Sequence, residues 1–142
     1  MIIKKVTITK LAQFLTVMNG GKLVQHVENH NNCTHPIYLT NGDYAGISLN
    51  IPSDHHQMMF PYNLPEKKYQ ILGHSKFFRS GVYLNGNNEN IELPKEFLEP
   101  EIVYYPNTNS LAIQAHPEWM DSTSKDFKIL KKLILNTLKK IK

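Results

Sequence analysis

The chain contains a single cysteine, Cys33, in 142 residues. An intramolecular disulfide is thereby excluded, and a fold that does not depend on oxidation fits a reducing compartment, so a cytoplasmic location is expected. Long hydrophobic runs are missing as well. No stretch approaches the roughly 20 apolar residues of a membrane-spanning helix. The N-terminal MIIKKVTITKLAQFLTVMNGG is broken by Lys4, Lys5 and Lys10, with no small-residue cleavage site after it. Membrane partners are not expected. Low-complexity tracts, internal repeats and linkers are absent too, which points to one domain over residues 1–142. The net charge of +4 comes largely from the C-terminal run Lys125 to Lys142. Seven lysines on one amphipathic helix form a solvated face, and without arginine and a series of interleaved aromatics they do not make a nucleic-acid reader.

What is present reads as a mixed α/β pattern. Ile2 to Ile8 alternate and are rich in β-branched residues, which predicts a strand. Leu11, Phe14, Leu15 and Met18 then fall at i, i+3, i+4 and i+7, a helical stripe, and Asn19-Gly20-Gly21 closes it with residues that tolerate left-handed angles. Strand, turn and helix in this order is the unit of parallel sheets. Residues 21–65 are rich in His, Asn, Gly and Pro and predict short strands with functional loops. Further strands are expected at Tyr69 to Leu72, Gly81 to Leu84, Glu101 to Tyr105 and Ser110 to Ala115, the last two joined as a hairpin through Pro106-Asn107-Thr108-Asn109. Asp121 to Ser124 supply N-cap candidates for a C-terminal helix with Phe127, Leu130, Ile134, Leu138 and Ile141 along one side.

Residues with chemical potential cluster in four segments. In Leu111-Ala112-Ile113-Gln114-Ala115-His116-Pro117-Glu118-Trp119, a histidine stands two residues from a carboxylate that could fix its tautomer and stabilise its imidazolium. The other three are Lys10-Leu11-Ala12-Gln13 with Asn19-Gly20-Gly21-Lys22-Leu23-Val24-Gln25-His26-Val27, then Ser53-Asp54-His55-His56-Gln57-Met58-Met59, then Pro100-Glu101-Ile102-Val103-Tyr104-Tyr105. Two adjacent histidines in an extended segment point to opposite sides, so at most one of His55 and His56 should face a pocket. His26, His30, Cys33 and His35 are four potential metal donors within ten residues. Their spacing matches none of the common zinc patterns, so no metal and no cofactor are expected.

Taken in order, these four segments resemble the C-terminal portion of class I glutamine amidotransferases and the related γ-glutamyl hydrolases. The resemblance implies a flavodoxin-like α/β sheet with flanking helices, here truncated, since Met1 stands only eight residues before Thr9 and the family's leading strand–helix units would be missing. It also implies a Cys–His–Glu triad in which His116 and Glu118 are base and orienting acid. Placing Gln13 on the family glutamine puts Thr7, Thr9 and Leu11 where the family keeps glycine, the nucleophilic cysteine and glycine. A thiol with a pKa of about 8.5 is readily poised as thiolate, whereas a threonine hydroxyl is not. Threonine nucleophiles rely on their own N-terminal amine, and Thr9 is internal.

The expectation is therefore a degenerate amidotransferase-like protein without catalytic residues. Its retained cleft would bind a small polar or anionic molecule through His26, His55, His56, Gln57, His116, Glu118 and Trp119. Likeness to amidotransferase-like proteins carried by large bacterial viruses implies a further possibility, a scavenger of a nucleotide-derived host signal. Two alternatives stay open: an active amidotransferase or hydrolase with another nucleophile such as Cys33 or a metal-activated water, and a structural partner that completes another chain's site. A truncated sheet would leave apolar surface uncovered, so a homo-oligomer is expected.

Overall fold

The computed structural model describes residues 8–40 and 42–139. They form two helices around a curled five-stranded sheet. Helix α1 spans Ile8–Met18 and helix α2 Lys125–Lys139. The strands are β1 (Lys22–Val24), β2 (His26–Val27), β3 (Cys33–Leu39), β4 (Ser48–Ser53), β5 (Met58–Phe60), β6 (Gln70–Ser75), β7 (Tyr83–Leu84), β8 (Pro100–Tyr105) and β9 (Ser110–Ile113). The main sheet has the order β4-β3-β6-β8-β9, while β1 pairs with β5 and β2 with β7 in two small ribbons.

Every strand pair among the described residues is antiparallel. This corrects the expectation of parallel units for this part of the chain. The strand predicted over Ile2 to Ile8 falls outside the described residues except at Ile8, which opens α1 instead. A mixed α/β architecture is what stands.

β8 explains the layering. Ile102 packs with Leu72, Ile113, Leu130 and Leu133 on the α2 side. Val103 and Tyr105 pack with Ala12, Met59 and Ala112 on the α1 side. A strand covered on both faces needs apolar residues at consecutive positions, which Ile102-Val103 supplies. At Gly73 the β6–β8 register shifts, and a Cβ there would lie 3.2 Å from Ile102 Cδ1, so the close approach of the two strands depends on that glycine.

Both helices end as their sequences dictate. Gly20 (φ +88°) accepts the left-handed turn after α1, with Gly20 N–H donating to Val17 O and Gly21 N–H to Thr16 O. Ser124 caps α2 by accepting from Phe127 N–H at 3.1 Å. The faces that α1 presents are the surprise. Its buried side is Thr9, Ala12, Gln13 and Thr16, whereas Leu11, Phe14, Val17 and Met18 are exposed. Of the apolar stripe read from the sequence, Leu11, Phe14 and Met18 therefore point outward and Leu15 alone packs, half-buried, beside Ala12, because short side chains such as Thr9, Ala12 and Thr16 let α1 lie close against β9 and β5. Among the described residues no helix is long and apolar enough to cross a membrane.

Candidate functional site

Thr9, in the first turn of α1, and His116, just past β9, meet at the mouth of a cavity. Thr9 Oγ1 lies 3.0 Å from His116 Nε2, and His116 Nδ1 lies 2.8 Å from Glu118 Oε1. Hydroxyl, imidazole and carboxylate thus stand in the order of a nucleophilic relay. The direction of the hydrogen bonds is another matter. The Thr9 hydroxyl has one proton, and it is donated to the carbonyl of Gln114 at 2.8 Å. His116 Nε2 can then only donate to Thr9 Oγ1. With its Nε2 lone pair occupied by a proton, the ring cannot take one from the hydroxyl. Trp119 covers His116 in a flat stack, ring centroids 3.8 Å apart and planes 4° from parallel, and is itself 56% exposed. The other face of its indole is a platform at the rim.

The cavity measures about 640 Å³ and is lined by Thr9, Lys10, Gln13, Gln25, His26, Val27, Asp54, His55, His56, Gln57, His116 and Trp119. Of the seven residues expected to contact a ligand, the structure brings six to this one wall, with Glu118 behind His116. Their accessibility differs. His26 and His56 are exposed, whereas His55 is buried and both of its ring nitrogens face protein atoms. It forms the floor rather than a free ligand contact. Gln57 is held by a hydrogen bond to Gln25 Oε1. Cys33 is not among the lining residues; it faces Asn29 O and Arg79 Nη2.

Behind the floor lies a second group that no local sequence pattern announces. His30, His35, His55 and Glu101 are all at least 95% buried. Glu101 Oε1 is 3.3 Å from His30 Nδ1, 3.3 Å from His35 Nε2 and 3.8 Å from His55 Nε2. No hydrogen bond closes these gaps, since Glu101 Oε1 and Oε2 and the three inner nitrogens all lack a partner. The outer nitrogens are engaged. His30 Nε2 meets Glu99 Oε2 at 2.8 Å, His55 Nδ1 meets Gln57 O at 2.7 Å, and His35 Nδ1 meets Pro36 O at 3.2 Å. Glu99 is itself fixed through Oε1 by the N–H groups of Arg79 and Ser80 and by the Tyr83 hydroxyl.

Electrostatics follow from this crowding. Burial alone would lower the His30 imidazole, but the carboxylates of Glu101 and Glu99 outweigh it and raise its pKa to about 9. Burial likewise opposes ionisation of Glu101, yet the imidazoles of His30, His35 and His55 hold it well below the usual carboxylate range. Glu99 is also lowered: His30, Tyr83 and the Ser80 N–H prevail over burial. The four-donor set read from the sequence is split, with His30 and His35 in this group, His26 in the cleft and Cys33 in neither.

No protein-family model matches the chain, and no curated protein matches it significantly.

Proposed function

We propose that the chain is a degenerate amidotransferase-like protein that binds a small polar or anionic molecule in the Thr9–His56–Trp119 cleft and does not hydrolyse it. One observation carries this reading. The residue that falls on the nucleophile position by sequence, Thr9, sits against His116 Nε2, but its proton is committed to the Gln114 carbonyl. The parts of a relay are in place, and their hydrogen bonds run in a direction that closes a wall.

The cleft has the volume of a small-molecule site and the mixed donors and acceptors that fix a polar ligand. Imidazoles of His26 and His56 suit anionic groups. The outward face of Trp119 suits a planar one, which favours a nucleotide-derived ligand over an aliphatic one. An enzyme built on Cys33 is not supported, because that thiol lies outside the cleft. The exposed apolar face of α1 supports the homo-oligomer, with a second copy as the partner this reading assigns.

The test combines turnover and binding. Purified protein and its Thr9→Cys variant are assayed for hydrolysis of glutamine and γ-glutamyl peptides, and both should stay at background. Calorimetry against a panel of nucleotides and γ-glutamyl compounds should find a ligand whose affinity drops at least tenfold, about 1.4 kcal/mol, in Trp119→Ala or His56→Ala. Turnover by the wild-type chain, or a ligand that ignores both substitutions, would overturn the proposal.

A further inference from the structure

The group behind the cleft floor presents a problem of protons. An oxygen of a carboxylate or carbonyl only accepts, so the imidazole nitrogens that meet Glu99 Oε2 and Gln57 O carry a hydrogen, as does His35 Nδ1 at 3.2 Å from Pro36 O, with Ser75 Oγ a longer second partner at 3.4 Å. In a neutral ring the opposite nitrogen is then a bare lone pair. Three such lone pairs, on His30 Nδ1, His35 Nε2 and His55 Nε2, converge on a carboxylate oxygen that also only accepts. These four and Glu101 Oε2 are five of the six buried side-chain polar atoms without a hydrogen-bond partner among the described residues, the sixth being Gln114 Nε2. Such a nest holds together only with positive charge inside it: in metal-free protein a proton on His30 Nδ1, facing Glu101 at 3.3 Å, and in loaded protein a bound cation.

We propose that His30 Nδ1, His35 Nε2, His55 Nε2 and Glu101 Oε1 bind a zinc-type divalent cation as a closed, four-coordinate structural site. The spacing fits. Bonds of about 2.0–2.1 Å in a tetrahedron place neighbouring ligand atoms roughly 3.3–3.4 Å apart. The separations from Glu101 Oε1 are 3.3, 3.3 and 3.8 Å; the ligand atoms of His30, His55 and Glu101 all lie within 4.8 Å of one another, and His35 Nε2, outside that group but 3.3 Å from Glu101 Oε1, closes in as the fourth donor when the ion binds. Three imidazoles and one carboxylate are donors for zinc rather than for calcium or magnesium, which take oxygen.

The surroundings are those of a metal site. Each histidine donates its outer N–H to an oxygen, which fixes the tautomer and aims the other nitrogen inward, and His30 does so to a carboxylate that three further groups orient. Charge balances too: a divalent ion offsets Glu101 and Glu99, leaving no net charge in the interior. Burial leaves no open position for water, so the ion would hold structure rather than activate a nucleophile. It ties β3 (His35) and β8 (Glu101) to the His30 turn and to the His55 turn that carries His56 and Gln57 into the cleft. In metal-free protein a proton on His30 Nδ1 facing Glu101 fills part of this role and leaves the inner lone pairs of His35 and His55 without a partner.

The direct experiment is metal analysis of the untagged full chain after desalting, where about one zinc per chain is expected. Stripping with a strong chelator should lower Tm by roughly 10 °C, reversed by one equivalent of Zn²⁺. Co²⁺ added to the stripped protein should give the intense visible bands of a four-coordinate site. Glu99→Gln keeps all four donors and should weaken Zn²⁺ affinity 10- to 100-fold. His35→Asn should abolish the Tm response, and Cys33→Ser should leave it intact. Where His35→Asn does not fold, Glu99→Gln and the cobalt spectrum of the wild-type chain decide. Zinc well below one per chain with no Tm response to added Zn²⁺, a six-coordinate cobalt spectrum, or a response unchanged in His35→Asn or Glu99→Gln would each overturn the proposal.

Discussion

Two imidazole–carboxylate groups lie back to back in this molecule, with His55 on the wall between them. On the cleft side, Thr9, His116 and Glu118 form a line in which each junction is a hydrogen bond of 2.8 to 3.0 Å, ending at a carboxylate that is 38% exposed. On the inner side, His30, His35, His55 and Glu101 sit at comparable distances, fully buried, with no hydrogen bond between them. The residue types are the same. What separates them is the supply of hydrogens: the Thr9 hydroxyl and an N–H on each of the two His116 nitrogens close the first array, whereas every outer N–H of the second is already spent on another oxygen. Arrays closed by protons recognise ligands or relay charge, while arrays of converging lone pairs coordinate cations.

The largest expected effect that would break this comparison is on stability. Glu101→Ala removes the one anion among the described residues that faces all three inner nitrogens and should cost about 3–5 kcal/mol in urea unfolding, as expected when a buried charge loses its partner. Glu118→Ala, at a half-exposed carboxylate, should cost under about 1 kcal/mol. Equal losses would show that the two groups are energetically alike.

A smaller effect sharpens the comparison through pH. In metal-free protein, His30 has a folded pKa of about 9 against an unfolded value of 6.5, so the folded state holds the extra proton. Its contribution is fully present below pH 6.5 and is lost as pH rises towards 9, up to about 3 kcal/mol. Glu99 and Glu101, held low, contribute above about pH 4.5 and lose this as pH falls through their folded values. Zinc-loaded protein should behave differently between pH 6.5 and 9. Its histidines are already deprotonated by the metal, so stability should be flat there and should instead fall below pH 6.5, where protons compete for the unfolded ligands. Chemical unfolding from pH 5.5 to 9.5, with chelator or with zinc, reads both slopes; parallel curves would count against a metal-held cluster.

How far these two groups could be read in advance follows from sequence distance. His116 and Glu118 are two residues apart beside a hairpin that β8 and β9 form, so their pairing was legible, as were the Asn19-Gly20-Gly21 stop and the capped C-terminal helix. Placing Thr9 beside them came from the family pattern and not from spacing. The inner group is drawn from a turn, a strand, a second turn and a distant strand. Nothing local links His30 to Glu101, and Glu101 read only as one position in an apolar strand. His30 and His35 were grouped with His26 and Cys33 because those are near in sequence, but chain direction sends His26 to the cleft and Cys33 towards Arg79. The α1 stripe misled for a related reason: periodicity shows that a helix has an apolar face, not which face the sheet accepts, and α1 packs through Thr9, Ala12, Gln13 and Thr16.

The measurement that tests the contrast most directly is a long-range ¹H–¹⁵N spectrum of the histidine side chains in protein loaded with ¹¹³Cd in place of zinc. His30 should appear with its proton on Nε2, and His35 and His55 with theirs on Nδ1, each inner nitrogen coupled to the metal. His116 should show a protonated Nε2 and no coupling. Protons on the inner nitrogens without cadmium coupling, or coupling to His116 in their stead, would contradict the account.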